Sequence, residues 1–370
     1  HLPSHRAFAG EFAVKKSTVA VSAALLFSLA ASVWACSVPV FRYALERWQA
    51  DPYEVLVFHR GELSPSDRAV AERLSADGEA GQVHANVNLT LVDLDADPDP
   101  QLVEIWEAQQ YPTLPWMAVR YQVPTRIPVD AYSGPLTDEN VSRLLQSPVR
   151  AEIAKRLLSG DTAVLVLLES GQAEMDNEAF AHVERQAEQL AQTLELPEIA
   201  PEDLDEVSVD PTALKLRFST IRVSRDDPAE QMLVDMLLGS EEDLRDLEGP
   251  MAFPVFGRGR VLYALIGAGI TQENVQQAGV DLTGPCTCTV KDQNPGVDLV
   301  MAVDWDDLVE QKVETDKAIP PLAGLGGFPG ETTAGDNPAA DETQQPETAQ
   351  VEPEKAASNC APSGVLPGET

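Results

Sequence analysis

The chain has 370 residues, with 26 Lys and Arg against 60 Asp and Glu, a formal net charge of -34, and 44% hydrophobic residues. That apolar share builds real cores and excludes a wholly unfolded chain, while the length points to about two compact domains. The acidity excludes a general nucleic-acid binder and adhesion to anionic lipid through basic patches, and four Cys are too few for a disulfide-dense scaffold.

Residues 1–35 read as a signal peptide or membrane anchor. Lys15 and Lys16 precede an uncharged run from Ser17 to Ala35. A basic start, an apolar stretch and small residues before a cut describe a secretory signal. The run meets Val33-Trp34-Ala35-Cys36, which resembles the bacterial lipobox, although Trp34 departs from the small residue usual there. The resemblance implies lipidation at Cys36. Simple cleavage and a retained anchor stay open, since the run is close to the shortest that spans a bilayer. All three place the remainder in the cell envelope, facing the periplasm.

An amphipathic linker helix is expected over 36–50, because Val38, Phe41, Leu45 and Trp48 recur at spacings of three and four. It could pack on the first domain, lie at the membrane interface or dock on a membrane partner. A first domain is expected over 51–150. Tyr53 to Phe58 reads as a buried strand. Ser64-Pro65-Ser66-Asp67 opens a helix. Val87 to Leu94 reads as a strand and Asp99 to Gln110 as a helix. Strands to Tyr121 and from Ile127 to Tyr132 follow, and Thr137 caps a helix from Asp138 to Leu145. The order is βαβαββα.

The stretch Val92-Asp93-Leu94-Asp95-Ala96-Asp97, a helix, then Tyr111-Pro112-Thr113-Leu114 resembles the thioredoxin family. The resemblance implies a cis-proline beside the site, at Pro112 or Pro115. Where that family carries Cys-x-x-Cys, this chain reads Phe58-His59-Arg60-Gly61-Glu62-Leu63-Ser64-Pro65. Thiol–disulfide exchange needs an attacking thiolate, so this half is expected to be redox-inactive.

A second domain over 151–317 repeats the plan. Thr162 to Leu168, Leu214 to Val223, Gly249 to Phe256 and Val261 to Ile266 read as strands. Asn177 to Leu194, a segment ending at Leu238, and a segment from Thr271 read as helices. Pro115 to Tyr121 parallels Pro250 to Phe256, and Gly134 to Val141 parallels Gly269 to Val275, in one register. The expected fold class is α/β: two tandem thioredoxin-like domains, each a central mixed sheet flanked by helices. Residues 318–370, rich in Pro, Gly, Thr and Glu, are expected to form a disordered acidic tail. The stretches Ala35 to Trp48 and Asn294 to Leu299 resemble uncharacterised secreted or lipid-anchored proteins of planctomycete-type bacteria, which implies no known activity.

Candidate chemistry is sparse. Cys286 and Cys288 form a Cys-x-Cys pair that could exchange thiols or hold copper; a structural bridge, within the pair or to Cys360, is the other reading. His59 and Arg60, with Pro112 or Pro115, could meet a ligand or partner. Asp93, Asp95, Asp97, Asp99 and Glu104 have calcium-loop spacing, but Pro98 stands where that loop needs Gly, so a solvated acidic turn is expected. The expected function is a non-enzymatic envelope lipoprotein that binds or scaffolds a protein partner, with no cofactor and no nucleic acid. The alternative is a thiol redox or copper-handling protein acting through Cys286 and Cys288.

Overall fold

The computed structural model describes residues 36–75, 85–110, 112–286 and 291–309. The segment 1–35, Tyr111, Cys288, Cys360 and the tail from 318 lie outside the described residues. Among the described residues, α1 (Val40–Glu46) comes first. β1 (Tyr53–His59) is rich in Val, Leu and Phe and buried along most of its length. Ser64 then caps α2 (Pro65–Glu72): its hydroxyl accepts the Asp67 N–H, and Pro65 needs no partner for a missing N–H. β2 (Val87–Asp93) runs parallel to β1, Tyr53 opposite Val87 and His59 opposite Asp93. Asp99 caps α3 (Pro100–Glu107) by accepting from Gln101. β3 (Trp116–Arg120) and β4 (Asp130–Pro135) complete an antiparallel edge, and α4 (Asp138–Leu145) follows. The first sheet has the order β2-β1-β3-β4.

The second sheet repeats this order. β5 (Ala163–Leu168), all apolar and wholly buried, precedes the long α6 (Ala173–Thr193). β6 (Phe218–Val223) lies parallel to β5, and α7 (Gln231–Leu238) returns the chain. β7 (Met251–Phe256) pairs antiparallel on β5's other side. β8 (Arg260–Val261), β9 (Leu265–Ile266), α8 (Gln272–Thr283), β10 (Val297–Asp298) and α9 (Trp305–Leu308) follow. The order is β10-β8-β7-β5-β6, with β9 also on β7. In each half the earliest strand is central, a parallel partner stands on one side and antiparallel strands on the other.

The repeat extends to single hydrogen bonds. Asn140 donates its backbone N–H to the Thr137 hydroxyl and its side chain to the Pro135 carbonyl. Asn274 does the same with Thr271 and Gly269. One Thr-x-Glu-Asn turn thus caps α4 and α8 alike.

Several element boundaries differ from expectation. The strand expected from Ile127 to Tyr132 is β4, starting at Asp130, because residues 123–125 form a tight 3-10 turn closed by Arg126 at φ 57°. The strand expected from Leu214 starts at Phe218, since Asp210 caps a turn over Pro211–Ala213. The Val261 to Ile266 run splits into β8 and β9. The helix α5 (Pro148–Leu158) was not expected: Ser147 caps it and Pro148 opens it. The expected boundary between residues 150 and 151 falls inside this helix.

The largest apolar cluster holds Val55, Val57 and Val119 of the first sheet together with Val164, Val166 and Val255 of the second. The two sheets therefore share one core. α1 is wedged into it. Leu45 joins that shared cluster, while Phe41, Tyr43 and Ala44 join a second cluster with Leu165, Leu190 and Leu282. A helix apolar on most sides is a buried helix and not a surface linker. It packs on α8 and β7 of the second half, where the spacing of Val38, Phe41, Leu45 and Trp48 alone suggested one stripe.

Candidate functional site

The register of the first sheet assembles the residues that the sequence singled out. Phe58 of β1 stands opposite Trp116 of β3, so His59 and Pro115 sit side by side at the same end of the sheet. The Leu114–Pro115 peptide is cis, and the Pro115 carbonyl accepts the Leu136 N–H at 2.9 Å. Pro112 is half-buried in the approach to β3, just after Tyr111.

After β1 the chain turns through Gly61, whose φ of 59° suits a residue without Cβ. A polar network holds the turn. Asp93 Oδ1 accepts the Gly61 and Asp95 N–H groups, each at 3.0 Å. Those bonds, the Asp95 one foremost, hold the Asp93 carboxyl below the usual carboxylate range. Arg60 Nη1 donates to Asp95 Oδ1 at 2.6 Å, and both side chains are exposed. His59 Nδ1 donates to the Gly61 carbonyl at 2.7 Å. The acidic run is thereby divided: Asp93 and Asp95 fasten the β1 turn, and Asp99 caps α3.

Beneath the turn lies a small apolar cluster of Leu56, Phe58, Val92 and Ala118. The Phe58 and Trp106 rings tilt together with centroids 5.4 Å apart. Leu102, Ile105, Trp106, Leu114 and Trp116 are only half-buried around it, and no residue of α3 is fully buried. Trp116 Nε1 donates to Gln109, whose amide donates to Asp130. The arrangement offers an exposed cation, a histidine and a shelf of partly open apolar and aromatic surface. It contains no sulfur.

The corresponding turn of the second half is closed upon itself. Asp176, buried in α6, accepts the Ser170 N–H and hydroxyl and the Gly171 N–H at 2.7, 2.8 and 3.0 Å. Arg225 donates to the carbonyls of Glu169, Leu247 and Gly249. This turn also lacks sulfur.

Cys286 is not part of the Pro115 site. It is fully buried in the second cluster, and its N–H donates to the Val38 carbonyl at 2.8 Å. Cys36 lies in that cluster at 7% exposure, and burial pushes its thiol up. Among the described residues no group of three or more His, Cys, Asp and Glu is arranged to hold a metal, and no helix is long and apolar enough to cross a membrane.

Sequence reasoning missed a buried ion network that joins the two ends of the described chain. Asp298 of β10 accepts from Arg260 Nη1 at 3.1 Å, from the Asp51 N–H at 2.6 Å and from Lys291 Nζ. Lys291 also pairs with Asp51 at 2.8 Å. Burial alone would raise the Asp298 carboxyl, but Lys291 and Arg260 outweigh it and hold it low. Asp51 is raised by burial and by the charge of Asp298. A 247-residue separation leaves no local signal for this contact.

No protein-family model, no curated protein and no solved structure matches this chain.

Proposed function

We propose that the chain is a non-enzymatic lipoprotein of the bacterial cell envelope that binds or scaffolds a protein partner through thioredoxin-like units lacking the dithiol. One observation carries the reading: the turn from Arg60 to Ser64 follows the central strand beside cis-Pro115 and holds no sulfur. The shared strand order of the two sheets supports the thioredoxin-like plan. In this reading the partner meets Arg60, His59 and the half-buried Trp106 and Trp116, and the segment before Cys36 directs the chain to the membrane. The alternative, thiol or copper chemistry through Cys286 and Cys288, draws less support, because a fully buried Cys286 is poorly placed to meet a partner's sulfur or a solvated ion.

Insulin reduction and reactivation of scrambled ribonuclease by the purified chain test the reading. Neither activity is expected, and either one overturns it. A photo-crosslinker in place of Arg60 is expected to capture a discrete envelope protein that the same probe at exposed Leu308 does not.

A further inference from the structure

A cavity of about 780 Å³ opens where α4 gives way to α5. Among the described residues it is lined by Arg73, Gln146, Ser147, Arg150, Met301 and Val303, with further Leu, Pro and Ala. The first turn of α5 needs no outside anion. Glu230, 1% exposed, already accepts the Val149 N–H and the Ser147 hydroxyl. The Ser147 hydroxyl in turn accepts the Arg150 N–H.

Arg150 is the opposite case. Its residue is 3% exposed, yet among the described residues its guanidinium bonds only carbonyls: Nη1 to Val300, and Nη2 to Leu144 and Arg143 at 2.7 and 3.2 Å. Nε has no partner among the described residues. An unpaired buried donor is costly, and a buried cation without a bonded carboxylate more so. Burial pulls this guanidinium down to about 10. Among the described residues no carboxylate bonds it, in a chain where acids exceed bases 60 to 26. Arg73 on the same cavity is partly exposed and donates to Asp138 and Ser142.

We propose that this cavity binds an organic monocarboxylate with an apolar body, its carboxylate taken by Arg150 and Arg73 and its tail lying against Met301 and Val303. Each guanidinium already has an acid nearby, Asp138 at Arg73 and buried Glu230 near Arg150, so the cavity has no charge surplus for a dianion and fits a monoanion. The planar fork of Arg suits a carboxylate, and the largely apolar walls suit a hydrocarbon tail. Nε is closed to solvent, so Arg150 meets the ligand through Nη1, which bonds only Val300 among the described residues.

Titration calorimetry and thermal unfolding of the full chain with octanoate, 1-octanol and inorganic phosphate test this. Octanoate is expected to bind and to raise the unfolding temperature, with 1-octanol and phosphate far weaker. Arg73→Gln, on a partly exposed side chain, is expected to weaken octanoate about tenfold. Arg150→Lys keeps the charge but loses the fork and is expected to weaken it as well; if circular dichroism shows that variant unfolded, the Arg73 arm decides alone. Octanoate binding no better than 1-octanol, phosphate matching octanoate, or Arg73→Gln binding as tightly as the parent would each overturn the proposal.

Discussion

The Tyr121 hydroxyl donates to the Met236 carbonyl at 2.7 Å, tying the end of β3 in the first half to α7 in the second. The Tyr121 ring also leans on Tyr53 with centroids 5.5 Å apart, and the Tyr53 hydroxyl donates to the Asp298 carbonyl at 2.8 Å. Removing the hydroxyl by Tyr121→Phe is expected to cost about 1 kcal/mol, read from urea unfolding. No change in strand content by circular dichroism should accompany it.

Alkaline pH should loosen the same contact. Burial holds the Tyr53 and Tyr121 phenols well above their ordinary value. A raised folded value favours the neutral phenol in the folded chain. Its contribution is complete below the unfolded phenol value near 10 and is lost as pH rises towards the folded one. Unfolding free energy should therefore fall above about pH 10, and a Tyr53→Phe, Tyr121→Phe double variant should flatten that slope.

The ion network predicts unequal effects at its two acids. The Asp298 side chain is 3% exposed and serves two cations and a backbone N–H. Asp298→Asn leaves Arg260 and Lys291 short of charge and should cost about 3–5 kcal/mol. Asp51, raised by burial and by Asp298, is already disfavoured as an anion, so Asp51→Asn should cost clearly less. Because the Asp298 carboxyl is held low, its contribution is present above the unfolded carboxyl value near 4 and is lost as pH falls through the folded one. Urea unfolding of both variants between pH 3 and 7 reads the difference. Equal losses at neutral pH would contradict it.

The turn Gly257-Arg258-Gly259 holds α1 from the C-terminal side. Arg258 Nε donates to the Leu45 carbonyl at 2.9 Å and its Nη1 to Asp306 at 2.8 Å. A cation at a helix C-terminus also meets the negative end of the helix dipole. Gly257 sits at φ 57°, and a Cβ there would lie 2.8 Å from the Ala44 Cβ. Gly257→Ala combines strain with overlap and should destabilise by about 1–3 kcal/mol. Faster proteolysis near α1 at equal protease is the accompanying readout.

The Cys36 thiol should be slow to react. Its side chain lies in the second cluster, and a raised thiol value leaves little thiolate at neutral pH. A charged maleimide should label this position far faster in urea than in buffer, judged against Cys36→Ser. Lipid attachment at the same sulfur would require the Cys36 side chain to leave the cluster, so mass analysis of envelope-purified chain is the direct reading of that expectation.

Much of the fold is legible in the residues themselves. The all-apolar run of β5, the Ser64-Pro65 start of α2 and the Thr137 cap of α4 carry their structure locally. The paired Thr-x-Glu-Asn turns are visible in sequence and recur bond for bond. α5 had a signal too, Ser147-Pro148 followed by Val149, Ile153 and Leu157, but a domain edge expected at 150 cut across it. What sequence cannot carry is contact over distance. Nothing near Val40–Glu46 says that this helix packs on α8, and nothing near Asp51 points to Asp298. The site divides in the same way. His59 and Arg60, with Pro112 or Pro115 left open, follow from the order of elements and the family resemblance, and the cis peptide falls at Pro115, whereas Arg73 and Arg150 share a cavity through tertiary packing alone. The stretch Asn294 to Leu299 gains a physical account: the Asn294 and Pro295 carbonyls hold Arg260, and Asp298 anchors the ions.

Asn86 shows how tightly the ends of the body are laced. Its amide donates to the carbonyls of Asp51 and Leu299 and accepts the Met301 N–H, so one side chain clasps the entry to the first sheet and the exit from the second. A fragment severed near residue 160 would forfeit that clasp and leave Val55 and Val57 without the strands they rest on. The two copies of the plan have thus become mutually dependent, and melting should pass through one cooperative transition with no surviving half.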